Sequence, residues 1–218
     1  MFFGLGYMLG PALGAFLYEV GGFTLPFVIV GSIGIVVATS LLFVIPNVKV
    51  DERKVADKTL TLMDIAKSPA IFLPFLDLLV CFFGNGMIAS MLEPHLSEAG
   101  ADSTQVGFTF LIFGAVFMVS APLAGFLCDK LPYPSLVSVL GNVILATSFI
   151  FLGPIPSINI TPSWQSITTS TAFVALGYGA VMVSTFGRAQ GAATRQGFSQ
   201  DIDTYLLISG MWQSSFYF

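Results

Sequence analysis

The sequence predicts an all-α, multipass membrane protein. Only 9% of its 218 residues are charged, whereas about a quarter of the residues of a soluble domain carry a charge. Hydrophobic residues make up 55% of the chain, and the mean hydropathy is +0.88. The apolar residues are gathered into runs of about 20, the length that a helix needs to cross a bilayer. These observations exclude a water-soluble globule, and we expect the lipid bilayer to surround the chain.

About six and a half hydrophobic runs have membrane-spanning length and are bounded by charged residues or by Pro and Gly. The first run has Gly10-Pro11 in its middle and no basic stretch before it, so we interpret it as a spanning helix rather than a signal peptide. The last run opens near Thr204 and is cut off at Phe218. The predicted runs are Met1–Tyr18, Phe23–Ile45, Ala70–Leu92, Val106–Cys128, Ser135–Leu152, Ser166–Thr185 and Thr204–Phe218.

One long polar stretch, Asn47–Ser68, separates the second run from the third and predicts a connecting loop. This stretch holds most of the basic residues, and the others follow the fourth and sixth runs, while the loops between them hold none. Because Lys and Arg concentrate in cytoplasmic loops, we predict that these alternate loops face the cytoplasm. The basic residues are Lys49, Arg53, Lys54, Lys58, Lys67, Lys130, Arg188 and Arg195.

Composition also excludes several kinds of function. The net charge is −4 and only 8 residues are Lys or Arg, so the chain has no basic surface for nucleic acid. Two cysteines, Cys81 and Cys128, and one histidine, His95, are too few for a disulfide scaffold or a His-based metal centre. The sequence contains no Walker motif and no nucleophile placed for a catalytic triad. We therefore expect neither enzyme activity nor a metal or other cofactor.

A glycosylation sequon, Asn159-Ile160-Thr161, lies in a loop predicted to face away from the cytoplasm. Its position is consistent with N-glycosylation of Asn159. A chance occurrence of the motif explains it equally well, and Pro162 directly after the sequon disfavours the modification.

Glycine recurs every fourth residue in the first run, at Gly6, Gly10 and Gly14. Small residues at this spacing lie on one helix face and let two helix backbones approach closely. Pro11 removes one backbone hydrogen bond and bends the helix there. An ordinary packing seam explains this pattern without any further function.

The string G-x-x-x-G-P-x-x-G from Gly6 to Gly14 resembles the fifth-helix motif of proton-coupled antiporters of the major facilitator superfamily. The family motif ends in Gly-Gly where this chain has Gly14-Ala15. A second family motif, G-x-x-x-D-[RK], is similar to Gly125, Asp129 and Lys130, and it implies a cytoplasmic gate. Here Leu131-Pro132-Tyr133 replaces the family's basic continuation. Asp129 and Lys130 are equally well explained as solvated residues at a helix end.

The resemblance implies a fragment of a twelve-helix fold, whose two halves rock around a site at the membrane midplane. Residues 1–46 would then be the last two helices of the N-terminal half, and residues 47–69 the cytoplasmic loop between the halves. Residues 70–218 would be the C-terminal half, truncated in its fifth helix. The missing helices of the parent protein would complete the site.

The third run contains polar groups inside apolar sequence, Asp77 and Asn85, and ends near Glu93. A carboxylate within a spanning helix costs about 2.5 to 3.5 kcal/mol on insertion scales and is usually paired, hydrated or functional. Asp77 is therefore a candidate for substrate or proton coupling. The alternative is that Asp77 reaches water or a loop lysine such as Lys67.

The string Met91-Leu92-Glu93-Pro94 resembles the seventh-helix motif of the vesicular amine transporters, the solute carrier 18 family. The resemblance implies that Glu93 holds a substrate ammonium and releases it once protonated, and that Asn85 assists. Asn85 precedes Glu93 by one residue more than the family spacing. The alternative for Glu93 is an interfacial acid at the helix end.

The chain also departs from the monoamine members of that family, which place acids near the positions of Ser184 and Gln213. It looks more like the branch assigned to vesicular polyamine transport, in which spaced acids and aromatic faces could hold a multiple cation. We therefore expect proton-coupled antiport of organic cations or polyamines into a secretory vesicle, a synaptic vesicle or another acidic organelle. Two alternatives stay open, namely an antiporter of a drug or organic anion, and a truncated membrane protein that binds a full-length partner.

Overall fold

The computed structural model describes residues 2–44, 60–131, 133–153, 163–198 and 201–216. Within these ranges the regular structure is entirely α-helical. The helices are α1 (Phe2–Gly21), α2 (Thr24–Val44), α3 (Leu62–Lys67), α4 (Pro69–Glu98), α5 (Ser103–Lys130), α6 (Ser135–Leu152), α7 (Trp164–Arg195) and α8 (Ile202–Ser214).

Each predicted hydrophobic run coincides with one helix, and α6 has the bounds that the sequence predicts. Among the described residues, α2, α4, α5, α6 and α7 are long and apolar enough to cross a membrane. In lipid the backbone amides have no water to bind, so an apolar run satisfies them within its own helix. The predicted all-α membrane architecture is confirmed.

Polar side chains fix the ends of several helices. Asp102 accepts a hydrogen bond from the backbone amide of Gln105, whose side chain in turn accepts one from the Asp102 amide. Ser163 and Ser166 cap the start of α7 in the same reciprocal way. These capping boxes satisfy amides that have no partner inside the helix. They set the turns at the ends of α5 and α7 that are predicted to face away from the cytoplasm.

Helix α7 lies at the centre of the described structure and packs against α4, α5, α6 and α8. Glycines make the closest approaches possible: Gly177 of α7 faces α6, and Gly179 of α7 faces Ser120 of α5. The main core joins α4, α5, α6 and α7 through buried residues such as Leu92 and Val174. Tight packing of small residues is how membrane helices associate.

Helices α1 and α2 lie outside this core. Helix α1 packs against α5 and α2, and the apolar side chains of α2 are exposed along its length. The contact between α1 and α5 joins the region predicted as the N-terminal half to the region predicted as the C-terminal half. That division into halves remains a prediction.

The structure corrects two features of the predicted loops. The polar stretch before α4 contains a short helix, α3, which Thr61 and Asp64 cap. Helix α7 continues ten residues beyond the predicted end at Thr185, so Arg188 lies inside the helix and not in a loop. The prediction ended the helix at the first charge, but Arg188 has polar partners within the bundle that make its burial favourable.

Candidate functional site

Asp77 lies at the centre of a polar network that joins three membrane helices. Its Oδ2 accepts a hydrogen bond from the Ser138 hydroxyl at 2.8 Å, and its Oδ1 accepts one from the Asn142 amide at 2.9 Å. Ser138 and Asn142 are one turn apart on α6, so both face α4. A carboxylate that accepts bonds on both oxygens is well satisfied inside a membrane protein.

Arg188 of α7 completes this network. Its Nη1 donates to the Ser138 hydroxyl at 2.8 Å and lies 3.4 Å from Asp77 Oδ2, which makes an ion pair. The two side chains are only 29% and 19% exposed. Burial of this kind weakens screening by water, so the pair interacts more strongly than one at a protein surface.

The network lies toward the predicted cytoplasmic ends of the helices. Asp77 is about 12 Å along α4 from its first residue, at 1.5 Å per residue. Lys67, the partner considered from the sequence, lies in the short helix α3 and is exposed. The Asp77 partner is instead Arg188, which is 111 residues away in the chain.

Three of the four network residues were missed by sequence analysis. Ser138 and Asn142 looked like ordinary polar residues of an apolar run, and Arg188 was assigned to a loop. The one-turn spacing of Ser138 and Asn142 on α6 is a signal that could have indicated a polar face. No signal in the sequence pairs that face with Asp77 and Arg188.

An aromatic row extends from the predicted cytoplasmic end of α8 to the middle of the bundle. Neighbouring ring centroids are 4.0 to 6.3 Å apart, and all six pairs meet at tilted or edge-to-face angles. These distances are typical of favourable aromatic contacts. In order, the row is Tyr205, Phe186, Trp212, Phe216, Phe82, Tyr178 and Phe113.

Glu93 lies on the face of α4 that carries Phe82 of this row. The two residues are 11 positions apart, which at 100° per residue places them within about 20° around the helix and about 16 Å along it. Glu93 is exposed and has no hydrogen bond or ion pair with any residue in the described ranges. Asn85, about 80° from Glu93 around the helix, is half-buried.

His95 lies on a different face of α4 from Glu93. Its Nε2 is 2.9 Å from the carbonyl oxygen of Leu152, the last residue of α6, so the ring N–H satisfies an acceptor at a helix end. His95 and Glu98 line an open, mostly apolar cavity of about 470 Å³ between α4 and α6. Glu93 does not line this cavity.

The glycine motif of α1 faces open space. An added Cβ at Gly6, Gly10 or Gly14 meets no atom within 4 Å, so the predicted close-packing seam has no partner helix in the described structure. Pro11 lies within α1. The antiporter role of this motif stays a prediction.

The candidate gate motif lies at the end of α5. An added Cβ on Gly125 would lie 3.7 Å from Val183 of α7, an ordinary packing distance. Lys130 lies over the ring of Phe126, 4.5 Å from its centroid. Asp129 and Lys130 are both exposed, and neither forms an ion pair in the part of the chain that the structure describes. The gate role stays a prediction.

The candidate glycosylation site, Asn159, lies outside the described residues and stays a prediction. Within the described ranges, no three His, Cys, Asp or Glu side chains cluster closely enough to hold a metal ion. The polar groups described above are carboxylates, one half-buried guanidinium and aromatic rings.

Comparison with known proteins places these features in a family context. Residues 1–217 match the profile of the Major Facilitator Superfamily. The human MFS-type transporter SLC18B1 is 28% identical over 98% of this chain and 46% of its own length. The rat MFS-type transporter SLC18B1 is 29% identical over 97% of this chain and 46% of its own length. The chain thus spans about half the length of the curated relatives it matches.

Proposed function

This chain belongs to the Major Facilitator Superfamily, and on that premise we propose that it is part of a proton-coupled antiporter for organic cations. Polyamines are the substrates we expect, and the membrane of an acidic vesicle is the expected location. The proposal concerns the whole protein, of which these residues would form the regions assigned above to the two halves and their connecting loop.

The balance of charge within the helices carries the proposal. Asp77 and Arg188 neutralise each other through their ion pair. Glu93 then provides a carboxylate without an ion-pair partner among the described residues. An uncompensated carboxylate beside a transport path attracts cations and repels anions. This favours organic cations over the alternative of an organic anion.

The aromatic row supplies a second feature suited to such substrates. Ammonium groups bind the faces of Trp, Tyr and Phe rings with about 0.5 to 2 kcal/mol each, and more strongly where water is excluded. Phe82 and Phe216 contact each other between α4 and the end of α8, on the same face of α4 as Glu93. A flexible polyamine could bind these rings with one ammonium and Glu93 with another.

Proton coupling follows from the chemistry of Glu93. In the ionised state its carboxylate binds a substrate ammonium by a charge-assisted hydrogen bond. Exposure to an acidic lumen transfers a proton to that carboxylate, which removes its negative charge and releases the ammonium. Alternating access by rocking of the two halves then returns the protonated site to the cytoplasmic side.

Asp77 and Asn85 have supporting roles in this proposal. Asp77 is already bound by Ser138, Asn142 and Arg188, so a proton on Asp77 would leave Arg188 without its counter-charge. We therefore assign Asp77 a coupling role, in which its protonation would change the contacts that hold α4 against α6 and α7. Asn85 is assigned to substrate orientation near Glu93.

The test is uptake by the protein expressed from its complete transcript and reconstituted into vesicles with an acidic interior. We expect Glu93→Gln to abolish pH-driven uptake of labelled spermidine, because glutamine keeps the shape of the side chain and removes its charge. The control is Glu98→Gln, which removes an acid five residues later that lines the other side of α4. Equal uptake by Glu93→Gln and the unaltered protein would remove Glu93 from the coupling role.

A panel of labelled solutes tests the class of substrate in the same vesicles. Uptake of organic cations that collapses when the pH gradient is dissipated would support the proposal. Uptake of an organic anion or an uncharged drug in place of the cations would contradict it.

The open glycine face of α1 favours one second candidate. Because no described atom lies near Gly6, Gly10 and Gly14, this face could bind a helix of a full-length partner. Co-purification of a tagged full-length relative with this chain, lost in Gly10→Leu, would support a partner-binding role. Transport by the chain alone would contradict it.

A further inference from the structure

A small cavity with a mixed polar and apolar lining lies between the last turns of α7 and the first turns of α8, and neither Glu93 nor a residue of the Asp77 network lines it. Its volume is about 240 Å³, slightly below the range typical of ligand pockets. Its polar lining comes from Gln190 and Thr194 of α7 and from Asp201, Thr204 and Tyr205 of the α8 region. Two isoleucines, Ile202 and Ile208, supply apolar lining.

Asp201 gives this cavity its charge. It is the residue that precedes α8, but its side chain makes no capping hydrogen bond, and within the described ranges it forms no ion pair. No described Lys or Arg lines the cavity. The carboxylate is therefore available to a ligand, and its charge selects a cation.

Thr204 independently indicates a ligand. The residue is 6% exposed, and its Oγ1 is buried without a hydrogen-bond partner in the described structure. A buried hydroxyl without a partner costs about 1 to 3 kcal/mol. Because Thr204 lines this cavity, rotation of its side chain toward a bound donor would satisfy the hydroxyl and recover that cost.

The size and lining of the cavity define the kind of cation. A volume of 240 Å³ is several times larger than a bare metal ion needs, and the described lining contains one carboxylate, whereas metal sites use several. The two isoleucines favour a short alkyl chain. An ammonium N–H could reach Asp201 and Thr204, while the Tyr205 ring could hold the charge by a cation–π contact.

We propose that this cavity binds a small alkylammonium ion at the predicted cytoplasmic end of the bundle. Tyr205 both lines the cavity and begins the aromatic row through its contact with Phe186 at 5.6 Å. The site therefore lies where a cation would enter the row that leads toward Phe82. Its role as an entry site rests on the proposed function, but binding to it does not.

The test is equilibrium binding of radiolabelled butane-1,4-diamine to the purified chain in lipid nanodiscs. We expect saturable binding that Asp201→Asn weakens by about tenfold or more, the effect of losing a charged hydrogen bond. Asn is as good a helix-capping residue as Asp, so this variant keeps the start of α8. The matched control is Asp203→Asn, because Asp203 is two residues away and does not line the cavity; its affinity should change less than twofold.

A second variant separates ligand binding from folding. Thr204→Val removes the unpaired hydroxyl and keeps the shape of the side chain, so it should raise the thermal unfolding midpoint of the empty protein. The same change should weaken diamine binding. A loss of stability together with unchanged binding would overturn the inference, as would equal effects of Asp201→Asn and Asp203→Asn.

Glu93→Gln distinguishes this site from the proposed transport site. Retained diamine binding in Glu93→Gln, lost on adding Asp201→Asn, supports the cavity whatever the outcome of the uptake assay. Binding that depends only on Glu93 would overturn the cavity and leave the proposed function intact. Displacement of the diamine by an equal concentration of sodium chloride would show that the cavity has no preference for an alkylammonium, and would also overturn it.

Discussion

Gly141 of α6 and Gly177 of α7 face each other where the two helices cross. A Cβ added to Gly177 would lie 2.9 Å from the carbonyl oxygen of Gly141 and 2.7 Å from Leu145 Cγ. The helix backbones approach this closely because neither residue has a side chain. The same crossing places Ser138 and Arg188 within hydrogen-bond distance further along the two helices.

Gly177→Ala is therefore expected to destabilise the bundle by about 1 to 3 kcal/mol, the cost of overpacking a filled interface. The matched control is Gly187→Ala on the same helix, where an added Cβ meets no atom within 4 Å. That change should be neutral or stabilise α7 by up to about 1 kcal/mol, since alanine favours helix over glycine. Thermal unfolding in detergent measures both, and equal midpoints would contradict the α6–α7 contact.

The Asp77–Arg188 pair should behave as a coupled unit. Asp77→Asn and Arg188→Gln each leave a charge without its partner in a largely buried place, whereas the double variant removes both charges. We expect a coupling energy of about 0.5 to 3 kcal/mol in a double-mutant cycle of unfolding. Arg195→Gln, at the exposed end of α7, serves as the control. Strict additivity of the two changes would mean that the pair does not interact.

The buried hydroxyls of Thr109 and Thr168 join α5 to α7 at 2.8 Å. Thr168→Val should cost about 0.6 kcal/mol, the average for hydrogen bonds between membrane helices. Thr169→Val is the neighbouring control, because Thr169 is exposed and its hydroxyl donates to Gln165 within its own helix. Unfolding in denaturant compares them, and a larger loss for Thr169→Val would contradict the assignment of the contact.

The two cysteines should differ in reactivity toward a maleimide. Cys81 is buried and Cys128 is partly exposed at the end of α5. We expect Cys81→Ala protein to be labelled and Cys128→Ala protein to be protected until it is unfolded. A membrane-impermeant maleimide applied to sealed vesicles of known orientation also tests the predicted cytoplasmic position of Cys128. Rapid labelling of Cys81 in the folded protein would contradict the packing of α4 on α7.

Much of the fold could be predicted from sequence because it depends on local properties. A run such as Ser135–Leu152 is apolar over the length of a bilayer, and in lipid such a segment must bond its own backbone as a helix. The acidic candidates Asp77 and Glu93 were also evident, because charge inside an apolar run is conspicuous. Their surroundings were not evident, and the helical course of α7 through Arg188 was misjudged because charge was taken as the end of the run.

The sequence by itself thus determined the class of protein, the order of its membrane-spanning helices and the acidic candidates in the third hydrophobic run. Only the tertiary structure decided that Asp77 pairs with Arg188, that Phe82 of α4 contacts Phe216 beyond α8, and that Asp201 and Thr204 line one cavity. Hydropathy is a sum over neighbouring residues, so it can be read along the chain. A contact depends on which helix faces meet, and the close approaches at Gly141, Gly177 and Gly179 set those faces among residues far apart in sequence.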